Sequence, residues 1–404
     1  MFSKPLDRLV AVSACFRGAD HLMLAGVPLI AAAVFGLQPD QIGAMVAAQG
    51  SAWLIMSLPA GILIDRIAPL DGLRRALAAG ALGCLVAIAG YVAASPPLLT
   101  FGAFLTVSGI VLGLLSEGAS LQQIVAGPEL GAANARIQIV QALAMLIGPA
   151  LMGYLIAHGF ALTGLSLAFA LCAFGYLLAR RFPAQPPSPP KVRDLRIELG
   201  EGMAFVWGQS LLRGIVACAL FWNLAFMALA AVFVPYALNQ LSMTSDMIGI
   251  AQSAMGVGAL LAAFTAAPML ARIPPRALLF FGPASSTLAA ALLVMAPGLG
   301  GFGTSAVVYL LLGFGPILWF VCQNTIRQLV TPKGMLGRVG AVIQVAIYGV
   351  RSIGALLGGW VAATLGLEAA ILMVAVLFGL STLTIPLSAL GRLSAMPHSA
   401  GSPA

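Results

Sequence analysis

Charge is what this sequence has least of. Of its 404 residues only 8% are Asp, Glu, Lys or Arg, against about 25% in an ordinary soluble chain. A polypeptide with so little charge cannot cover its surface in water, so lipid must be much of its solvent. Acids are scarcer than bases: 12 Asp and Glu against 20 Lys and Arg give a net charge of +8. That surplus does not read as a nucleic-acid face, because the basic residues fall in short loops and at helix ends. Histidine is almost missing: His21, His158 and His398 are far apart. The chain shows no metal-ligand cluster, no triad spacing and no glycine-rich phosphate loop, which argues against an enzyme, a resident metal or a cofactor. The five cysteines are irregularly spaced inside apolar segments and suggest neither a disulfide framework nor a metal site. Lys4 and Arg8 ahead of an apolar run give the start of the chain some likeness to a signal peptide. Arg17 and Asp20 interrupt that run, so it is expected to stay as the first span.

What the chain does have is apolar length. Apolar residues make up 61% of it, and a bilayer core needs roughly 20 helical residues per crossing. Twelve spans are expected, at 9–36, 42–64, 75–94, 98–124, 134–157 and 163–181, then 212–238, 247–271, 277–296, 303–329, 340–363 and 369–390. If the N-terminus is cytoplasmic, the inner loops carry Arg66, Arg74, Arg75, Arg180, Arg181, Arg272, Arg276, Lys333, Arg338 and Arg392, and the outer loops carry no Lys or Arg. The positive-inside rule then holds at every loop. It predicts a multi-pass protein of a bacterial inner membrane with both termini cytoplasmic. Asp40 and Asp246, each just ahead of a span, are expected to be N-caps.

The expected organisation is a six-helix bundle over residues 1–182, a linker over 183–210 and a second bundle with a short tail over 211–404. The linker opens with PAQPPSPP, a stiff extended run. Apolar residues at helical spacing follow, from Val192 to Val206, which suggests a helix on the membrane surface. The two bundles are related by an offset of 206 residues. Residues 37–67 align without a gap to 243–273, and the stretch from Gly148 to Gly153 meets Gly354 to Gly359. An even number of spans per half makes the repeats parallel, an organisation of transporters whose substrate site lies near midplane between the halves.

On these residues the chain resembles the major facilitator superfamily. Gly61, Asp65 and Arg66, followed by the pair Arg74 and Arg75, are similar to the family's loop motif of Gly, Asp, Arg and a basic pair, with Ala68 where a second Gly is usual. Gly148, Pro149 and Gly153 resemble the fifth-helix motif of drug/proton antiporters, with Met152 in place of a glycine. The stretches from Glu198 to Asn223 and from Arg327 to Gly359 look like the branch that contains enterobactin exporters and macrolide or multidrug efflux proteins. The resemblance implies twelve helices around a central cavity. It implies that the Gly61–Arg75 cluster latches the halves at the cytoplasmic face, and that the first, fourth, seventh and tenth spans line the cavity.

A charge at the bilayer centre costs at least about 2.5–3.5 kcal/mol, so those inside the spans need a reason. Arg17, Asp20 and His21 share one face of the first span. Glu117 in the fourth matches Arg17 in depth, and the two can pair. Asp20 and Glu117 are candidate proton carriers, since a carboxylate desolvated in one state and paired in another changes its affinity for protons. A static brace between helices is the alternative. His21 is a candidate relay or a simple hydrogen-bond partner. Arg351, midway along the eleventh span, suits an anionic group or a nearby acid. Asn223, Gln323 and Asn324 either meet substrate or bind helices together.

The expected function is a secondary transporter, proton-coupled, exporting small amphipathic molecules of multidrug or siderophore type by alternating access. Its expected partners are a small-molecule substrate, protons and the lipid bilayer, with no nucleic acid, and it is expected to be a monomer. Transport of an anionic metabolite or siderophore is the second reading. A membrane sensor that binds without moving substrate is the third.

Overall fold

The computed structural model describes residues 5–125, 129–183 and 195–397, with the side chains of residues 58, 61, 62, 65, 66, 195–198 and 333 outside that description. The first half holds α1 (Pro5–Leu29), α2 (Pro39–Arg66), α3 (Pro69–Val92), α4 (Pro96–Ile124), α5 (Leu130–Ala157) and α6 (Ala161–Ala179). Then come α7 (Leu195–Gly208) and the second half: α8 (Ser210–Asn239), α9 (Ser245–Arg272), α10 (Pro275–Val294), a single turn α11 (Ala296–Leu299), α12 (Gly301–Val330), α13 (Leu336–Leu365) and α14 (Leu367–Thr384). Eleven of these helices are long and apolar enough to cross a membrane. The 28-residue α2 is the twelfth. In lipid every backbone polar group needs an internal partner, which a helix supplies within one segment. Large apolar side chains such as Phe101, Phe174, Phe264 and Val376 point outward, as lipid-facing residues do.

Proline sets several helix starts. It lacks an N–H and its φ suits the first turn, and it occupies the start of α2, α3, α4 and α10. This corrects the reading of Asp40 and Asp246 as N-caps. Gln38 caps α2 through a reciprocal box with Gln41, and Thr244 is the cap of α9. Both aspartates sit inside the first turn, where the helix dipole favours an acid. α1 ends in a π-helical turn, Ile30–Val34, two residues after Pro28 interrupts the regular bonding.

The repeat is visible in the packing. In the first half α1 packs on α5 and α6, α2 on α4, and α3 on α4 and α6. In the second half α8 packs on α13 and α14, α9 on α12, and α10 on α12 and α14, which are the same five pairings one half later. α7 lies against the start of α13. Gly202 packs on the Arg338 carbonyl, Val206 is buried, and Arg338 bonds the Glu201 carboxylate. The part of the linker at 184–194 lies outside the described residues.

The halves meet chiefly through two further helix pairs, and these too are related by the 206-residue offset. α5 meets α9 where a Cβ on Gly249 would lie 2.3 Å from the Pro149 carbonyl oxygen and 3.0 Å from the Gly153 Cα. α13 meets α2 where a Cβ on Gly43 would lie 2.8 Å from the Gly359 Cα and 2.8 Å from the Ala355 carbonyl oxygen. Only a residue without a side chain allows backbones so close. Both contacts belong to the end of the bundle that carries no arginine. Towards the arginine-bearing end the halves separate. Between residues 130 and 141 α5 buries only Ala133 and Ile137, and between 261 and 272 α9 buries only Ala262 and Ala266, all against their own halves. The result is a cleft sealed at one end and open at the other. Both described chain ends lie at the open end: Asp7 pairs with Arg136 at 2.8 Å, and the Arg276 amide donates to the Leu393 carbonyl.

Gly249→Leu is expected to leave each half folded while keeping the sealed end ajar. A cysteine placed at Ala150, within the seal, should then react severalfold faster with a membrane-impermeant maleimide added from that side. The five native cysteines are all buried, so background labelling should be low. Equal rates with and without the leucine would show that the glycine contacts do not form the seal.

Candidate functional site

The polar centre of the first half is built on α1. Arg17 is only 9% exposed and Glu117 of α4 only 4%, and their side chains pair at 2.5 Å. Arg17 also donates from Nε to the Ser13 hydroxyl at 3.0 Å and from Nη1 to the Gln141 side-chain oxygen of α5. One guanidinium therefore ties three helices together through charge-assisted bonds. The chain of donors settles a tautomer. Arginine only donates, so Gln141 turns its oxygen to Arg17 and its NH₂ to His21, 3.1 Å away. Nε2 of His21 is then the acceptor, and the ring proton rests on Nδ1.

The network is not closed. Glu117 Oε1 is buried without a hydrogen-bond partner, as are the hydroxyls of Ser116 and Ser120 on the same helix. Asp20, one turn beyond Arg17, makes no hydrogen bond or ion pair with any described residue and lies within the fields of Arg17 and Arg351. The face shared by Arg17, Asp20 and His21 thus carries one cation fully engaged and one carboxylate held close by but unbonded. Among the described residues no acid contacts Arg351 of α13. Its guanidinium carbon lies 5.7 Å from the Trp53 ring centre and 5.9 Å from that of Tyr348, and its Nε is buried with no partner.

The second half carries a neutral counterpart of the ion pair. At the 206-residue offset Arg17 becomes Asn223 and Glu117 becomes Gln323. Asn223 is half-buried and bonds the Ala219 carbonyl of its own helix at 2.9 Å. Gln323 is buried, and Asn324 beside it keeps a buried side-chain oxygen without a partner. Amides at these depths need no counter-charge, so at these two positions the ionic demand falls on the first half alone.

The other expected residues divide into two groups. Gly148 packs α5 onto His21, where a Cβ would come within 2.7 Å of the His21 Cβ, while Pro149 and Gly153 form the cross-half contact with α9. The fifth-helix motif therefore faces both the polar network and the seal. In the loop cluster, Arg74 is bound entirely within the first half. It pairs with Asp71 at 2.5 Å and donates to the carbonyls of Ala179 and Phe182 at 3.1 and 2.7 Å, which fastens α3 to the end of α6. Arg75 is exposed. The side chains of Gly61, Asp65 and Arg66 lie outside the described residues. Sequence reasoning missed Gln141, Trp53 and Tyr348. Gln141 left one signal: it precedes Gly148 by seven residues, hence shares its helix face. The two aromatics left none, being indistinguishable in sequence from lipid-facing rings.

Residues 9–355 match the sequence model of the Major Facilitator Superfamily. The chain belongs to that family. It is a multi-pass membrane transporter of small molecules and not an enzyme. Among curated relatives, the enterobactin exporter EntS of Escherichia coli O1:K1 / APEC is 28% identical over 307 residues, covering 75% of this chain and 72% of that protein. EntS of Salmonella choleraesuis (strain SC-B67) is 26% identical over 306 residues, with the same coverage. Solved structures share the fold at low identity. A POT family transporter superposes with a TM-score of 0.76 at 15% identity, covering 95% of each chain. A bacterial homologue of the iron transporter ferroportin, in an inward-facing state, gives 0.69 at 16% identity, covering 93% of this chain and 98% of that one.

Removing one partner of a buried pair strands the other charge, whereas replacing both with apolar groups is often tolerated. Glu117→Ala is accordingly expected to cost about 3–5 kcal/mol in detergent-solubilised protein. The double variant Arg17→Met with Glu117→Leu should recover most of that loss, as read by thermal unfolding. A double variant no more stable than the single one would mean that Ser13 and Gln141, not the ion pair, carry the energy of this centre.

Proposed function

We propose that this protein exports small amphipathic molecules of siderophore or drug type from the cytoplasm, driven by protons moving inward. The observation that carries the reading is Asp20: an unbonded carboxylate midway along its helix, next to an arginine whose own counter-ion is supplied elsewhere. A carboxylate with no fixed partner is free to hold a proton in one state and lose it in another. Glu117, with one oxygen on Arg17 and one unpartnered, is a second carrier, and His21, joined to Arg17 through Gln141, completes a path between them.

The shape of the bundle supports alternating access. The arginine-bearing end is assigned to the cytoplasm by the positive-inside rule, with both termini on that side of a bacterial inner membrane, so the cleft is open inward. Outward opening requires the two glycine contacts to part while the arginine-bearing ends approach, with the Gly61–Arg75 cluster as the latch at that end. One chain supplies both halves, so a monomer suffices. Siderophore-type cargo is suggested by the enterobactin exporters among the relatives. The second reading, transport of a smaller anionic metabolite, draws on Arg351, a membrane-embedded cation with no acid in contact.

The test uses proteoliposomes with a trapped proton-sensitive dye and a panel of lipophilic cations, macrolides and catecholate siderophores. Wild-type protein is expected to move protons when a substrate is added, and Asp20→Asn to abolish this while still folding. Undiminished substrate-evoked proton flux in Asp20→Asn would remove Asp20 from the coupling path. Binding without any flux in wild type would favour a sensor.

A further inference from the structure

Two hydrogen-bond donors near the middle of the cleft lack acceptors. Arg351 makes no hydrogen bond to any described residue, and its Nε is fully buried. Gln49 of α2 buries its Nε2 without a partner. Buried donors in a native protein are almost always satisfied, so each such exception asks for an explanation. Both orphaned atoms give protons and take none, and one carries a full positive charge. A group that satisfies them must be an acceptor, and next to Arg351 an anion.

The surroundings narrow the ligand further. Trp53 and Tyr348 approach with ring centres 5.0 Å apart and planes inclined at 39°, and the Arg351 guanidinium lies against both. Trp53 is one turn from Gln49 on the same face of α2, and Tyr348 one turn from Arg351 on α13. Each residue is near the midpoint of its helix. A planar cation against two aromatic rings is the arrangement that accepts a planar aromatic ligand bearing its own charge, since guanidinium pairs with carboxylate in two parallel bonds and stacks on π faces.

We propose that Arg351, Trp53, Tyr348 and Gln49 form a binding subsite for an aromatic anion, a carboxylate or phenolate carried on a flat ring. The assignment deepens the export reading and rests on it for its place in transport. Asp20 explains why the cation stays available. It lies close enough to be felt by Arg351 yet forms no bond with it, so it offsets the buried charge without occupying the fork. Because Trp53 belongs to one half and Tyr348 and Arg351 to the other, any rocking of the halves takes the site apart. Release is thereby coupled to the change of access.

The probes are 2-naphthoate, cyclohexanecarboxylate (anionic, not aromatic) and 2-naphthamide (aromatic, not anionic), titrated calorimetrically into the purified full-length protein. Wild type is expected to bind 2-naphthoate at least about tenfold more tightly than either control. Arg351→Gln and Trp53→Leu should each weaken it by about tenfold or more. Asp20→Asn, which removes the competing negative charge, should tighten it. Arg351→Lys keeps the charge and loses the planar fork, so it should weaken naphthoate, and it serves if the glutamine variant fails to fold. Equal affinity for all three probes, or naphthoate binding unchanged in Arg351→Lys and Trp53→Leu, would overturn the site. Proteoliposome export separates the two readings. Arg351-dependent binding without export of any compound would leave the subsite standing and sink the transport reading. Export by wild type and Arg351→Lys alike, with no naphthoate binding, would do the reverse.

Discussion

Two symmetry-related glycine contacts join the halves at one end of the bundle, and the placement of one half's candidate functional side chains against the other's depends on them. Gly153 against Gly249 and Gly359 against Gly43 bring backbones to a separation that no larger residue permits. Between lipid-soluble helices there is no hydrophobic drive to associate, so close packing carries the attraction. Small residues at these four positions let the backbones of the two halves touch directly.

The depth of the seal decides what the cleft contains. On α13 the contact runs from Gly359 down to Ser352, whose hydroxyl donates to the Ala47 carbonyl at 3.1 Å, and Arg351 is the next residue. On α5 it continues past Pro149 to Leu146, which packs on Gly256, and Gly148 between them packs on His21. The ionisable groups thus lie beside the lower part of the cross-half packing, where Trp53 meets Tyr348 across the halves. Above that level the interior is apolar and tight. Below it, α5 and α9 are exposed towards each other.

The two halves have kept one architecture and divided the chemistry. Five helix pairings recur in each half, but the buried ion pair of the first is replaced by Asn223 and Gln323 in the second. Arg351 has Met145 as its counterpart at the same offset, and Trp53 has Ala259. One half therefore holds a braced cation with a loose acid beside it, and the other contributes a cation that bonds no acid among the described residues. In the export reading proposed above, such asymmetry within a symmetric frame assigns proton exchange and ligand binding to different residues a short distance apart.

How much of this was legible in the chain itself can be traced residue by residue. Twelve spans, the two-fold repeat and the depth match of Arg17 with Glu117 all follow from one-dimensional quantities: apolar run length, a constant offset and distance from a helix end. Lipid enforces these by forbidding unpaired backbone and unpaired charge. Helix starts were misread by two residues at Asp40 and Asp246, because the acid was weighed above the proline at Pro39 and the hydroxyl at Thr244. Gln141, Trp53 and Tyr348 could not be singled out, since their importance lies wholly in which helix faces them. The sequence by itself determined that the protein crosses the membrane twelve times in two parallel halves, because a bilayer sets length and charge limits that act on each segment alone. Only the tertiary structure decided that Arg351 meets two rings instead of an acid, that Gln141 joins Arg17 to His21, and that the bundle is closed at its arginine-free end, because contacts between segments distant in the chain depend on packing that no single segment encodes.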